Sequence, residues 1–305
     1  MIRPVLMGHL TWIMAQAVQS AEQSITQPIT VWRAIVIGIV QGLTEFLPIS
    51  STAHVKVVPV LLGWGDPGVS FTAVIQLGSI AAILWYFWND LSSVTSRFVR
   101  AALSRHFDSF DFRLGLGILL GTVPAVLVGL FVKVFVPGYD NSIVRSTGAI
   151  ALTSIVMALL LGIAEWVGSR KRDFFKLTLS DGILVGFAQA LAIIPGVSRS
   201  GSTLTAGLFV GLKRETAARF SFLLGTITIT LAGLVSLPDM FGANSEVGVI
   251  PLLAGLIAAV VSSYLAIAWL IEFLKNNSTW VFVWYRLAFG AILLLALAFG
   301  RLENI

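Results

Sequence analysis

The sequence predicts an all-α polytopic membrane protein arranged as an inverted repeat, each half a re-entrant helical hairpin followed by three transmembrane helices. Four observations carry that prediction. Of the 305 residues, 57% are hydrophobic and 11% charged, against roughly 45–50% apolar and about 25% charged in a soluble domain. The mean hydropathy is +0.92, so lipid must be the solvent for much of the apolar surface. Six apolar runs, near residues 69–88, 114–136, 143–166, 217–237, 249–272 and 280–300, are long enough for a hydrocarbon core of about 30 Å. Two more apolar stretches, 31–62 and 181–211, are each interrupted by proline and a polar cluster.

Taken in order, residues 1–30 form an extension. Its first 25 residues carry a basic start at Arg3, an apolar stretch and small residues around Ala15 to Ala21, a pattern shared by signal peptides and interfacial helices. The first repeat, 31–166, opens with hairpin 31–62, broken at FLPISSTAH (46–54), and continues through spans 69–88, 114–136 and 143–166. The second, 167–305, opens with hairpin 181–211, broken at IPGVSRSGST (194–203), and continues through the last three spans. Irregular backbone at membrane depth survives only where protein or a wet cavity satisfies its amides and carbonyls. Each break therefore predicts a cavity.

The charges agree with hairpins rather than full crossings. Loop 89–113 holds Arg97, Arg100, Arg105 and Arg113, loop 167–180 holds Arg170, Lys171, Arg172 and Lys176, and 211–219 holds Lys213, Arg214 and Arg219. If both broken stretches are re-entrant, these loops and Lys275 share one side, which the positive-inside rule makes cytoplasmic. Loops 63–68 and 238–248, with Asp66, Asp239 and Glu246 and no Lys or Arg, face the other way. A full crossing at either break would scatter the basic loops over both faces.

Internal similarity relates the two halves. GIVQGLTEFLP (38–48) aligns with GFAQALAIIP (186–195) with one gap, and FTAVIQLGSIAAIL (71–84) resembles FSFLLGTITITLAGL (220–234) more weakly. Gly78 follows Pro48 by 30 residues, as Gly225 follows Pro195. A hairpin plus three crossings inverts the second half, and inverted repeats with broken helices set their site near the midplane.

Composition excludes several kinds of chemistry. With no cysteine and only His9, His54 and His106, the chain has no disulfide, thiolate or Cys-ligated metal, and any metal must be hard and oxygen-bound. The net charge of +5 follows from the positive-inside loops and gives no sign of a nucleic-acid partner.

The two breaks carry complementary groups: Gln41, Glu45, Ser50, Ser51, Thr52 and His54 on the first, Ser198, Arg199, Ser200, Ser202 and Thr203 on the second. A charge at the depth of Arg199 costs at least about 2.5–3.5 kcal/mol. An anion should offset it, either Glu45 in a structural ion pair or, the preferred reading, a phosphate gripped by the planar guanidinium. Gly196 and Gly201 allow close backbone approach, and the following helix would point its N-terminal amides at the same ligand. Gln41 and Glu45, four apart, share a helix face, so Glu45 would hold a divalent cation or orient a nucleophile, with Gln41 as a second ligand or a backbone partner. A hydroxyl with a neighbouring base suits nucleophilic catalysis. Sequence leaves open which of Ser51 and His54 attacks phosphorus; attack by Ser51 with His54 carrying the proton is favoured. Gln76, Gln189 and Glu165 are read as interhelical hydrogen-bonding residues, Lys133 and Arg286 as snorkelling toward headgroups, and Trp64, Trp85, Trp88, Trp280 and Trp284 as an interfacial belt.

At QGLTEFLPISSTAH (41–54) and PGVSRSGST (195–203) the chain resembles the bacterial undecaprenyl pyrophosphate phosphatase family, known also for bacitracin resistance, with similarity of pattern over about residues 31–300. The resemblance implies an integral-membrane hydrolase of the plasma membrane that converts undecaprenyl pyrophosphate to the monophosphate carrier for cell-wall glycans. It also implies a divalent cation, Mg²⁺ or Ca²⁺, and a site open to the periplasmic side. By that likeness Glu45 matches the essential acid, His54 the signature histidine and Ser51 the proposed nucleophile, while Ser198, Arg199 and Thr203 match the phosphate-binding loop. Gln41 stands where the family often has Glu, which leaves one carboxylate for a metal, and Ala53 replaces a frequent Gly. The expected partners are a prenyl pyrophosphate lipid, membrane lipid and a second copy in a homodimer. The rival readings are a lipid-phosphate transporter or flippase using the same midplane site, and a non-catalytic membrane binding protein.

Overall fold

The computed structural model describes residues 29–139, 142–240, 248–302 and 304, with backbone alone at 69–70 and 236–240. The signal-like or interfacial segment 1–25 and the side chains of Asp239 and Glu246 lie outside the described residues. Eleven helices follow in order among those described: α1 (Val31–Phe46), α2 (Ser51–Leu61), α3 (Val69–Tyr86), α4 (Trp88–Leu103), α5 (Phe110–Phe135), α6 (Thr147–Val167), α7 (Leu179–Ala190), α8 (Arg199–Phe209), α9 (Arg214–Met240), α10 (Val249–Asn276) and α11 (Trp280–Ala298). By length and composition α5, α6, α9, α10 and α11 can each cross a membrane, and the pair α3/α4, bent by 71°, is a sixth candidate. The chain is an all-helical, multi-pass membrane protein.

Loop 89–113 corrects the sequence reading, because residues 89–103 belong to helix α4. Its polarity hid an amphipathic pattern: Leu91, Val94 and Ala101 pack inward, while Arg97 and Arg100 are exposed. Asp90 in its first turn pairs with Arg219 of α9, Oδ2 to Nε at 3.0 Å, and Phe98 stacks on Phe112 of α5.

Contacts at the hairpin ends explain why the two broken stretches do not cross. Arg172 donates from Nη1 to Asp181 Oδ1 at the start of α7 and to the carbonyl of Val210 just past α8, both at 2.9 Å. The second hairpin therefore enters and leaves on one side. The guanidinium of Arg33 near the start of α1 lies 5.5 Å from the ring centre of Trp64 just past α2, so the first hairpin does the same. Helix α3 separates these sides by 18 residues, about 27 Å of helix rise. The basic segments form one continuous surface: Arg219 meets Asp90, the same guanidinium lies over Phe174, and Arg214 pairs with Glu165 at the end of α6.

Small residues bring each hairpin's first helix close to a span. On α1, Gly38 lies on the carbonyl of Gly255, and Gly42 meets Ala259 and Ser262 of α10. On α7, Gly182 and Gly186 lie against the backbone of Gly117 and Gly121 in α5. Gly38 and Gly186, which align in the sequence comparison of 38–48 with 186–195, thus each seat a hairpin helix on the backbone of a span. Such close approach is how helices associate in lipid, where burial of apolar surface gives little drive. The largest apolar cluster gathers around the buried end of α1, where Phe46 packs edge-on against Phe222 of α9 at 5.3 Å.

Candidate active site

The tips of the two hairpins meet. Ser200 at the start of α8 donates to the carbonyl of Leu47 in the first break at 2.9 Å. Pro48 ends α1, and the chain then turns through Ser50, whose φ of 77° places a non-glycine residue in the left-handed region. The second break turns through Gly196 at 88° and Ser198 at 70°. Its carbonyls are all engaged: Ile193 by the Tyr139 hydroxyl at 2.6 Å, Pro195 by Thr153 at 2.7 Å, and Gly196 and Val197 by Arg286. This is how backbone without helical bonds is kept at membrane depth.

Glu45 is the hub of the site. Its Oε1 accepts from Nη2 of Arg199 at 2.9 Å, and its Oε2 accepts from Ser51 Oγ at 2.6 Å and Gln41 Nε2 at 2.9 Å. Both readings of Arg199 bear on what is seen. It forms the ion pair, yet its Nη1 is buried with no hydrogen-bond partner among the described residues. The guanidinium lies against Gly225 of α9, where a side chain would collide with it, and 6.0 Å from the ring centre of Phe46.

A cavity of about 600 Å³ opens at this hub and takes its walls from Gln41, Glu45, Ser50, Ser51, Thr52, Gly196, Ser198 and Arg199. Farther out it is lined by Gln76, Gln189 and Thr228, then by Lys56, Asp66, Lys133, Tyr139 and Arg145. The first turn of α2 has no side-chain cap, whereas Ser198 caps α8 by accepting from the amide of Gly201 at 3.1 Å. Beside the cavity α2 therefore offers uncapped first-turn amides, while on α8 the side-chain cap takes only that of Gly201.

Several expected site residues point elsewhere. His54 Nδ1 lies 2.7 Å from the carbonyl of Ser50 and Nε2 lies 2.6 Å from the Tyr285 hydroxyl, with Phe289 stacked on the ring at 4.4 Å. A carbonyl partner assigns the proton to Nδ1, so Nε2 accepts from Tyr285. The imidazole is absent from the cavity wall and does not bond Ser51; the residue within reach of Ser51 is Glu45. Ser202 and Thr203 donate back to the carbonyl of Arg199, Thr203 also pairs with Ser221 of α9, and Ser200 and Gly201 bond the breaks themselves. None of these four lines the cavity.

The expected Mg²⁺ or Ca²⁺ finds hard donors here but a single carboxylate, and among the described residues no three His, Asp or Glu gather as a cage. The amide nitrogen of Gln41 faces Glu45, leaving its oxygen as the remaining neutral donor. That set fits a cation that takes most of its ligands from phosphate oxygens and water, as Mg²⁺ does, and not one enclosed by protein.

Sequence reasoning missed Arg286 and Tyr285. Arg286 does not snorkel: it is 1% exposed and bonds the carbonyls of both breaks. The available signal was its place on the inward stripe Val283, Arg286, Gly290, Leu293 of α11, whose spacing of three and four marks one helix face. Glu165, as expected, joins helices, accepting from Arg214 and from Thr279 at 2.8 Å. Gln189 also bridges helices, to Thr228 at 2.9 Å, but its Oε1 is buried at the cavity wall with no hydrogen-bond partner among the described residues.

A protein-family model described as bacitracin resistance protein BacA matches residues 34–292. An undecaprenyl-diphosphatase of Nostoc sp. is 61% identical over 279 residues, covering 91% of this chain and 87% of the relative. That of Synechococcus elongatus is 58% identical over 292 residues, covering 95% and 99%.

Proposed function

This chain belongs to the bacitracin resistance protein BacA family, and from that premise we propose that it is an undecaprenyl-diphosphatase whose reacting groups are the Ser51–Glu45–Arg199 hub. The reaction hydrolyses a C55 prenyl diphosphate to the prenyl monophosphate and inorganic phosphate, which returns the carrier lipid to cell-wall synthesis.

In this reading the headgroup enters the cavity and its terminal phosphate replaces Glu45 on the guanidinium of Arg199, helped by the open amides of α2. Ser51 Oγ attacks the terminal phosphorus while Glu45 Oε2 takes the hydroxyl proton, and the bridging oxygen leaves on the prenyl monophosphate. Water then attacks the phosphoserine, the proton held by Glu45 passes to Ser51 Oγ as its bond to phosphorus breaks, and the protons of the water leave on the inorganic phosphate, so that Glu45 is again a carboxylate. A divalent cation arriving on the diphosphate would be held by Glu45 and the oxygen of Gln41, and would neutralise phosphoryl charge. Arg199 stabilises the same charge as it spreads over the equatorial oxygens. His54 supports Ser51 from behind, through the carbonyl of Ser50.

The observation that carries this reading is the 2.6 Å hydrogen bond from Ser51 to a carboxylate that also holds Arg199, at the inner end of a cavity. We further propose that the cavity opens to the periplasm and that the two halves are inverted repeats. The outer lining includes Asp66 and the segment around Tyr139, on the side away from the basic surface, and the aligned glycines support the repeat.

The test is release of phosphate from a long-chain prenyl pyrophosphate by purified protein in detergent, with no membrane potential. Steady turnover is expected; binding without phosphate release would favour a carrier.

A further inference from the structure

Arg286 makes no ion pair among the described residues, and every one of its N–H groups goes to a carbonyl. Nη1 donates to Pro48 at 3.1 Å and Val197 at 3.2 Å, Nη2 to Gly196 at 2.6 Å and Val197 at 3.2 Å, and Nε to Ser154 of α6 at 3.3 Å. One planar group thus ties the first break to the second and both to the α6/α11 pair. Satisfying carbonyls does not require a charge, and burying a cation without an anion is costly. The charge calls for a counter-charge that the described side chains do not supply.

A peptide's carbonyl and N–H point in opposite directions. With the carbonyl of Val197 held on Arg286, the N–H of the same peptide, that of Ser198, is turned away from the guanidinium, and Ser198 lines the cavity. We infer that Arg286 is a positioning residue for the hydrolysis: it sets the spacing of the two tips, and hence of Ser51 and Arg199, and its charge acts on the bound diphosphate through the peptide groups it orients. This rests on the reading of the tips as the phosphate site.

The test compares full-length Arg286→Lys and Arg286→Met with the wild type in detergent. Three quantities are read: the folded fraction, kcat and KM on a long-chain prenyl pyrophosphate, and the dissociation constant of inorganic pyrophosphate by calorimetry. Lysine keeps the charge but cannot span both tips. The expected result is a kcat lowered about 100-fold in both variants, the loss associated with a misplacement of about 1 Å. Pyrophosphate affinity should fall about tenfold in Arg286→Met and stay within about threefold of wild type in Arg286→Lys, by the difference in charge. Wild-type kcat and pyrophosphate affinity in the folded variants, with only the melting temperature lowered, would overturn the inference. If Arg286→Met does not fold, Arg286→Lys decides alone: wild-type kcat overturns the positioning role. A wild type that binds pyrophosphate but releases no phosphate would remove the hydrolase reading instead, and the affinities would still separate the two variants.

Discussion

Ser51 and Gln41 share one carboxylate oxygen of Glu45 while Arg199 holds the other, so the groups proposed as nucleophile, base and phosphate clamp form one connected unit. Removing Arg199 takes away a donor to developing phosphoryl charge. Arg199→Ala should lower kcat at least about 100-fold, and near-wild-type kinetics in the folded variant would remove it from the mechanism. Ser51→Ala should abolish both turnover and any phosphorylated protein trapped by rapid quenching; retained turnover would shift the attack to water or to His54. Tyr285 acts one step further back, donating to His54 Nε2. Tyr285→Phe forfeits one hydrogen bond, and an activity loss of only about 2- to 10-fold is expected, measured as kcat against an unchanged KM. The chemistry-bearing residue types were legible because a carboxylate, hydroxyls and an arginine inside apolar stretches have few structural reasons to be there. The Glu45–Arg199 pair was among the sequence's two readings, but the partners of Ser51 and His54 were not legible, since spacing along a helix says nothing of side-chain direction at a break.

At the level of elements, glycine decides where the hairpins sit. Gly186 of α7 lies on the backbone of Gly121 in α5, and Gly38 of α1 lies on Gly255 of α10. A side chain at Gly186 must push α7 outward and carry the second tip, with Arg199, away from Glu45. Overpacking of this kind costs about 1–3 kcal/mol. Gly186→Leu should therefore lower both the melting temperature in detergent and kcat, while the same substitution at Gly129 of α5, which faces open space, should leave the melting temperature unchanged. The hairpins were readable from sequence because proline and a polar cluster interrupt an otherwise continuous apolar run. Helix α4 was not, because its serines, aspartate and arginines read as a solvated loop while its few inward residues sit at helical intervals.

For the whole molecule, the proposed orientation sets the basic surface formed by α4, the segment after α6 and the start of α9 on the cytoplasmic side, and the cavity lined by Asp66 and Tyr139 on the other. The chain has no cysteine, so single cysteines report topology directly. In intact spheroplasts Asp66→Cys should react with a membrane-impermeant maleimide and Ser96→Cys should react only after lysis. The reverse pattern would turn the site toward the cytoplasm and undo the proposed periplasmic opening.

Hydropathy, the two interruptions and the loop charges by themselves determined the membrane class, the six crossings, the two re-entrant stretches and the residue types at their tips. These are properties of local composition, and lipid enforces them strictly because it offers no hydrogen bonds. Only the tertiary structure decided which groups at the tips face the cavity. Ser50 and Ser198 leave helical geometry with positive φ, so neither helical nor strand periodicity carries through the breaks. His54, Ser200, Ser202 and Thr203 are thereby turned into packing and backbone bonds, Ser51 is turned onto Glu45, and Arg286, from a helix far along the chain, completes the support of both tips.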